Sequence, residues 1–219
     1  MPHLRIVAVS DVYTLENLPR LATLVRAARN GCDRLIVAVP GDFLGPSVLS
    51  SLDNGRGMVA CLNAIGVTHV TFGNHEDDVP HRALLARMTE LRATWLASNV
   101  HLREHELPAH DIVTVGDVRV GLFGVVLADP VMYRRVPFGA TLDDPNAVAL
   151  AEVARLTGEA GCGFVVALTH QAADADRTLA RALRGKPVVV IGSQPLVPSL
   201  RPRARRSDVR RAPRGTARA

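Results

Sequence analysis

The sequence predicts an α/β protein, a layered sandwich of sheet and helices with mixed, largely parallel strands. Three observations predict it. Short apolar runs rich in Val, Leu and Ile recur without polar alternation, as in strands buried on both faces. Segments with apolar residues at helical spacing lie between them. Successive runs end in Gly, Asp, Asn, Ser or His, where a strand gives way to a loop. The 219 residues suffice for one ample domain, and 47% hydrophobic with 21% charged is an ordinary globular balance. With only 4% aromatic residues, the core must come from Val, Leu, Ile and Ala.

Leu4 to Val9 reads as the first strand, ending at Ser10-Asp11. Leu18, Leu21, Leu24 and Val25 repeat at helical spacing through Arg29, and Asn30-Gly31 closes that helix. Leu35 to Val39 is a buried strand that ends at Pro40-Gly41-Asp42. A helix from Gly57 to Ile65 leads to a strand over Val67–Phe72. Pro80 to Arg92 is helical, with Pro80 suited to the first turn. Trp95 to Ala97 is a short strand before Ser98-Asn99. Ile112–Val115 and Arg119–Val126 flank Gly116-Asp117, which marks a β-hairpin. A helix runs from Asp144 to Thr157, capped by Asp143 or Asp144. Phe164 to Leu168 is a strand ending at Thr169-His170, Ala172 to Leu183 a helix, and Pro187 to Ile191 a last strand ending at Gly192-Ser193. The alternation implies a largely parallel sheet covered on both faces. From Pro195 onward Arg, Pro, Ala and Ser dominate, no face is apolar, and disorder is expected. This places a domain at residues 1–194 and a tail at 195–219.

The pI near 9.8 belongs to the tail. Residues 201–219 hold eight Arg and one Asp, more positive than the whole chain at +5, which leaves the body at −2. A body of that charge has no basic face to follow a phosphate backbone, so a nucleic-acid role would rest on the tail alone. Cys32, Cys61 and Cys162 lack metal-ligand spacing and read as reduced, buried small hydrophobes. No cationic leader and no run of about 20 apolar residues is visible, which suggests a cytoplasmic protein with no membrane partner. Hydrophobic spacing marks no partner helix.

Chemistry concentrates at strand ends. Asp11, Asp42, Asn74-His75 and His170 each follow a predicted strand, where open α/β sheets bind ligands. Phe72-Gly73-Asn74-His75-Glu76-Asp77-Asp78 crowds an amide, an imidazole and three carboxylates beside a core strand, an arrangement that calls for a cation. The donors are carboxylate, amide and imidazole without thiolate, a set suited to Mn, Mg, Fe or Zn. Such a set can hold two divalent ions ~3.5–4 Å apart, which polarise a phosphoryl oxygen and activate a water for attack on phosphorus. Glu76 and Asp77 read as solvated.

Asp11, Gly41-Asp42, Gly73-Asn74-His75-Glu76 and Thr169-His170 resemble the ordered blocks of the calcineurin-like metallophosphoesterases. The 5′-nucleotidase branch is the closer likeness, through Asn74-His75-Glu76 with Asp78 and through Ser98-Asn99-Val100. Asp11-Val12-Tyr13 to Asn17-Leu18-Pro19-Arg20, and Gly57-Met58-Val59 with Cys61-Leu62-Asn63, resemble a subgroup of that branch. The resemblance spans about residues 4–192. It implies a phosphoesterase acting on a small phosphate ester or nucleotide with two divalent ions. Asp42 would bridge them, Asp11 would bind the first, and Asn74 and His170 the second. His75, oriented by Asp78, would stabilise the transition state or protonate the leaving oxygen.

The chain departs from that pattern twice. Where the family has Asp-x-His, this chain has Asp11-Val12-Tyr13, so Tyr13 ligates as a phenolate, hydrogen-bonds within the site or fills the space of the missing imidazole. The family's closing Gly-His-x-His matches Gly192-Ser193-Gln194-Pro195, and none of the eight histidines lies beyond His170. Metal affinity should fall, more for the first ion, and a catalytically impaired relative serving as a binding or regulatory module is the alternative. The abrupt shift after Gly192, with 25 Arg against one Lys, is what a frame change in a GC-rich gene would produce, an idea that the intact mass of the native protein tests. The second, substrate-gripping domain of long 5′-nucleotidases is expected to lie beyond these residues, so nucleoside recognition within them would come from loops or be absent.

Overall fold

The computed structural model describes residues 2–133 and 139–193. The expected tail from residue 195, together with Gln194 and Pro195 of the closing block, lies outside the described residues.

Two four-stranded sheets pack face to face. The first runs β1 (Leu4–Ala8), β2 (Arg34–Pro40), β3 (His69–Thr71), β4 (Thr94–Leu96), all parallel. The second runs β10 (Val188–Gly192), β9 (Phe164–His170), β7 (Val118–Val126), β6 (His110–Val115), parallel except for the β6–β7 hairpin. A small antiparallel pair, β5 (Val100–Leu102) and β8 (Ala140–Leu142), stands apart. The α-helices among the described residues are α1 (Leu18–Ala28), α2 (Val48–Asp53), α3 (Arg56–Ile65), α4 (His81–Glu90), α5 (Pro145–Gly158) and α6 (Ala173–Ala182).

Strand alternation divides the core into three layers. Ile36 and Ala38 of β2 meet Val166 and Leu168 of β9 and Val120 and Leu122 of β7 between the sheets. Val37 and Val39 of β2 point the other way, under Leu21 and Val25 of α1 and Met58 and Leu62 of α3. Val165 and Ala167 of β9 likewise lie under Val153 and Leu156 of α5 and Leu179 of α6. The parallel strands therefore read as unbroken apolar runs, because both faces are buried. The expected largely parallel, layered sandwich is found, with its strands divided among the described residues into two four-stranded sheets, each covered by the other on one face and by helices on the other. The apolar runs predict burial on both faces equally well in either case.

Gly124 sets how close the sheets come. A Cβ there would meet the Thr71 hydroxyl at 2.6 Å and the Leu96 carbonyl at 2.8 Å, both across the sandwich. Polar ties cross the same gap. His69 of β3, 3% exposed, contacts Asp111 of β6 through Nε2 at 3.1 Å. Asn99, fully buried, donates to the carbonyls of Val126 and Asp143 and accepts from the Val126 N–H. Ser98 donates to the Ala109 carbonyl and accepts from the Gly124 N–H. The Ser98-Asn99 pair is thus a structural pin between β4 and β7.

Sequence periodicity missed three short elements, β5, β8 and α2. β5 and β8 have three residues each, and α2 has six, below the span that shows a period. α2 forms because Ser47 and Ser50 make a reciprocal capping box. Pro80 caps α4 from outside instead of entering its first turn. Asp144 caps α5 by accepting from the Ala147 N–H, as one of the two expected caps. Of the cysteines, all free, only Cys162 is fully buried; Cys32 and Cys61 are half-buried. No helix among the described residues is long and apolar enough to cross a membrane.

Gly124→Val should destabilise the protein by about 1–3 kcal/mol, since neither the Thr71 side chain nor the Leu96 backbone can withdraw from a packed interior; urea midpoints at matched m-values measure it. Burial holds the His69 pKa below its usual value, although Asp111 pulls the other way. The unfolded chain therefore takes up a proton first as pH falls below about 6.5, so stability should decline from there into acid. His69→Gln should remove that part of the slope in pH-dependent urea unfolding.

Candidate metal centre

The ends of β1, β2, β3 and β9 meet at one edge of the sandwich. Asp11 and Asp42 both adopt left-handed backbone, φ 54° and 55°, which aspartate tolerates better than most residues. Gly41 and Gly73 let the loops come together. A Cβ on Gly41 would collide with the His170 ring and the Gly73 backbone, and one on Gly73 would collide with the Asp42 carboxylate. Any other residue at either place would push the strand ends apart.

A buried anion holds these loops. Glu76, 0% exposed, accepts from the backbone N–H groups of Phe43 and Leu44 with Oε1 and of Asp42 and Gly73 with Oε2, at 2.6–3.0 Å. Burial and the Asp42 charge push its pKa up, while the N–H groups pull it down. Each oxygen already faces two donors, so a proton on either would have no acceptor and the geometry is that of a carboxylate. Glu76 and Asp77 are both buried, which corrects the expectation that they are solvated. The sequence hid this role because the four donors are main-chain groups, and only Gly73 and Asp42 beside them hint at it.

Around this frame the predicted residues converge. Ligand atoms of Asp11, Asp42 and His170 lie within 4.8 Å of one another. His170 Nε2 is 3.4 Å from Asp42 Oδ2 and 3.3 Å from Asn74 Oδ1. His170 Nδ1 lies 2.9 Å from the Pro40 carbonyl, which can only accept, so this nitrogen carries a proton and Nε2 faces the site. Asn74 Nδ2 donates to the Met132 carbonyl, which turns its Oδ1 inward. Neither carbonyl could be foreseen from side-chain patterns. Burial opposes charge on Asp42 and His170 alike, yet their mutual attraction outweighs it and holds Asp42 below, and His170 above, their usual values.

Tyr13 hydrogen-bonds within the site. Its hydroxyl lies 3.0 Å from Asp11 Oδ1 and 3.1 Å from Asp42 Oδ2. Both neighbours are carboxylate oxygens, which accept, so the hydroxyl is the donor here; burial and the Asp42 charge push the phenol's pKa up. His75 lies at the mouth of the site: its Nδ1 is 2.8 Å from Asp78 Oδ2, and its backbone N–H donates to Asp42 Oδ1 at 2.9 Å. Ser193 is buried beside the end of β1, where Ser10 donates to its carbonyl.

A divalent ion fits part of this set. Asp11 Oδ2 is a buried oxygen without a hydrogen-bond partner among the described residues. Donor atoms that share one ion at ~2.1 Å stand about 3.0–3.4 Å apart, and His170 Nε2 stands 3.4 Å from Asp42 Oδ2 and 3.3 Å from Asn74 Oδ1.

No family model matches the sequence. The chain is 26% identical over 183 residues to the snake venom 5′-nucleotidase of Gloydius brevicauda, covering 79% of this chain and 31% of that protein. It therefore spans about a third of the length of the curated relatives it matches. The 5′-nucleotidase precursor from Thermus thermophilus superposes with a TM-score of 0.74 at 21% identity, covering 86% of this chain and 41% of that one. The calcineurin-like phosphoesterase YfkN from Bacillus subtilis gives 0.68 at 18% identity, covering 85% and 70%. The likeness to the 5′-nucleotidase branch is thus seen in sequence, and the fold is that of calcineurin-like phosphoesterases.

Glu76→Gln would turn an amide NH2 against two backbone N–H donors. It should destabilise the chain by at least about 2 kcal/mol by chemical unfolding, more than an exposed Glu→Gln change such as at Glu104. Gly73→Ala should fold but weaken Mn²⁺ binding by an order of magnitude or more in calorimetric titration, through displacement of Asp42.

Proposed function

We propose that this chain is a metal-dependent phosphoesterase of 5′-nucleotidase type, hydrolysing a small phosphate ester or nucleotide. The observation that carries this reading is the meeting of Asp42, Asn74 and His170 at one edge, with His75 held beside them by Asp42 and Asp78. Asp42, Asn74 and His170 would hold a divalent ion, with Asp11 at the margin. When bound, such an ion polarises a phosphoryl oxygen and makes a water a stronger nucleophile.

The chain's own residues do the rest. The Asp78 carboxylate accepts from His75 Nδ1–H and fixes the ring, which leaves Nε2 to donate a hydrogen bond to a phosphoryl oxygen or a proton to the departing alkoxide. The His75 backbone N–H on Asp42 Oδ1 ties that imidazole to the ligand set, so acid and ligand keep one geometry. Pro40 and Met132 carbonyls orient His170 and Asn74 before any ligand arrives, an advantage in preorganisation.

A second reading has its own observation. Ser193, with a buried hydroxyl that finds no partner among the described residues, stands where the family pattern has an imidazole. On that ground the chain would bind metal and phosphate without turning substrate over.

Hydrolysis of p-nitrophenyl phosphate and of AMP with added Mn²⁺ separates the two. On the catalytic reading, His75→Ala should lower kcat by about 10²–10⁴-fold while Mn²⁺ affinity stays within a few fold. Asn74→Ala should lower both. Turnover no higher than in these variants, with Mn²⁺ still bound, would leave the binding module. Ser193→His together with Pro195→His should raise activity if the rest of the site is sound.

A further inference from the structure

The two carboxylates on the Asp11 side of the site are already bridged. Asp42 Oδ1 is committed to the His75 N–H, so Oδ2 is the oxygen left for a cation. Oδ2 has two neighbours: the Tyr13 hydroxyl at 3.1 Å on one side and His170 Nε2 at 3.4 Å on the other. Asp11 Oδ1 faces the same Tyr13 hydroxyl at 3.0 Å. Two carboxylates from neighbouring strands thus converge on one O–H group. Their repulsion calls for positive charge between them, and the phenolic hydrogen is what the chain puts there.

The two sides differ in chemistry. Toward His170 stand an imidazole nitrogen, an amide oxygen and a carboxylate oxygen, each with its outer atom anchored to a backbone group. Toward Asp11 stand two carboxylates and a phenol, and the nitrogen within reach among the described residues is His170 Nε2, which Asn74 already shares on the other side. Ser193, whose backbone meets Ser10 beside Asp11, brings only a hydroxyl. An ion on this side would have to displace the Tyr13 hydroxyl from both carboxylates and would gain no imidazole of its own, since His170 Nε2 also faces Asn74.

We propose that the Tyr13 hydroxyl takes the place of one cation, so that this site binds a single divalent ion, on Asp42, Asn74 and His170, where a two-ion centre would otherwise form. The proposal rests on the metal-dependent reading above but concerns the number of ions, which can be counted without any turnover.

Mn²⁺ titrated into the metal-stripped full chain, followed by calorimetry and by elemental analysis after gel filtration, gives the stoichiometry. Electron paramagnetic resonance distinguishes an isolated Mn²⁺ from an exchange-coupled pair. The expected result is one equivalent with the spectrum of an isolated ion, lost in Asn74→Ala. Tyr13→His should shift the stoichiometry from one equivalent to two and introduce exchange coupling. Tyr13→Phe, which keeps the ring against His75 but removes the bridging hydroxyl, should admit a second, weaker equivalent. Two equivalents or a coupled pair in the unmodified chain would overturn the proposal, as would no bound ion at all. One bound ion without hydrolysis would uphold it and sink the phosphoesterase reading alone.

Discussion

The buried carboxylate of Glu76 is the constraint on which the site depends. Four backbone N–H groups from the loops after β2 and β3 end on its two oxygens, in a place with no access to water. Unpaired, those amides and that charge would each be costly. Together they fix Asp42 and Gly73 at a separation that glycine alone allows. Asp42 then takes the His75 N–H, His75 takes Asp78, and the geometry spreads outward from the anion. The left-handed backbone at Asp42 persists because the surrounding contacts leave it no alternative.

The second constraint is the spacing of the sheets. The first sheet supplies Asp11, Asp42 and Asn74, and the second supplies His170. They share an edge because β9 lies against β2 across a thin apolar layer, with Gly124 as the point of close approach. The hydrogen bond between His170 and the Pro40 carbonyl is the visible result, a direct link between one sheet's last strand residue and the other's. Fold and site are therefore coupled through packing as well as through chain connectivity.

Much of this was legible in residue order, and what was not has physical causes. Long apolar runs fixed the large strands and α1, α3, α5 and α6 to within a few residues, because burial dictates composition. Asp11, Asp42, Asn74 and His170 stood out because polar groups at the ends of such runs have few structural uses in common. The division into two sheets was hidden, since a strand covered by a helix and one covered by another sheet need the same residues. Glu76 was misjudged because its partners are amides that every residue carries. The orientation of Asn74 and His170 depends on carbonyls of Met132 and Pro40, which side-chain chemistry does not advertise. Tyr13 could be marked as an anomaly of position, but only the folded chain shows its hydroxyl on two carboxylates at once.

An ion held by Asp42, Asn74 and His170 would be a clasp across the two halves of the sandwich, since its ligands come from both. Release of the ion and parting of the sheets at that edge would then be a single thermodynamic event, with ion concentration setting how firmly the halves stay closed. The same edge that carries the chemistry would be the one whose rigidity the surroundings can adjust.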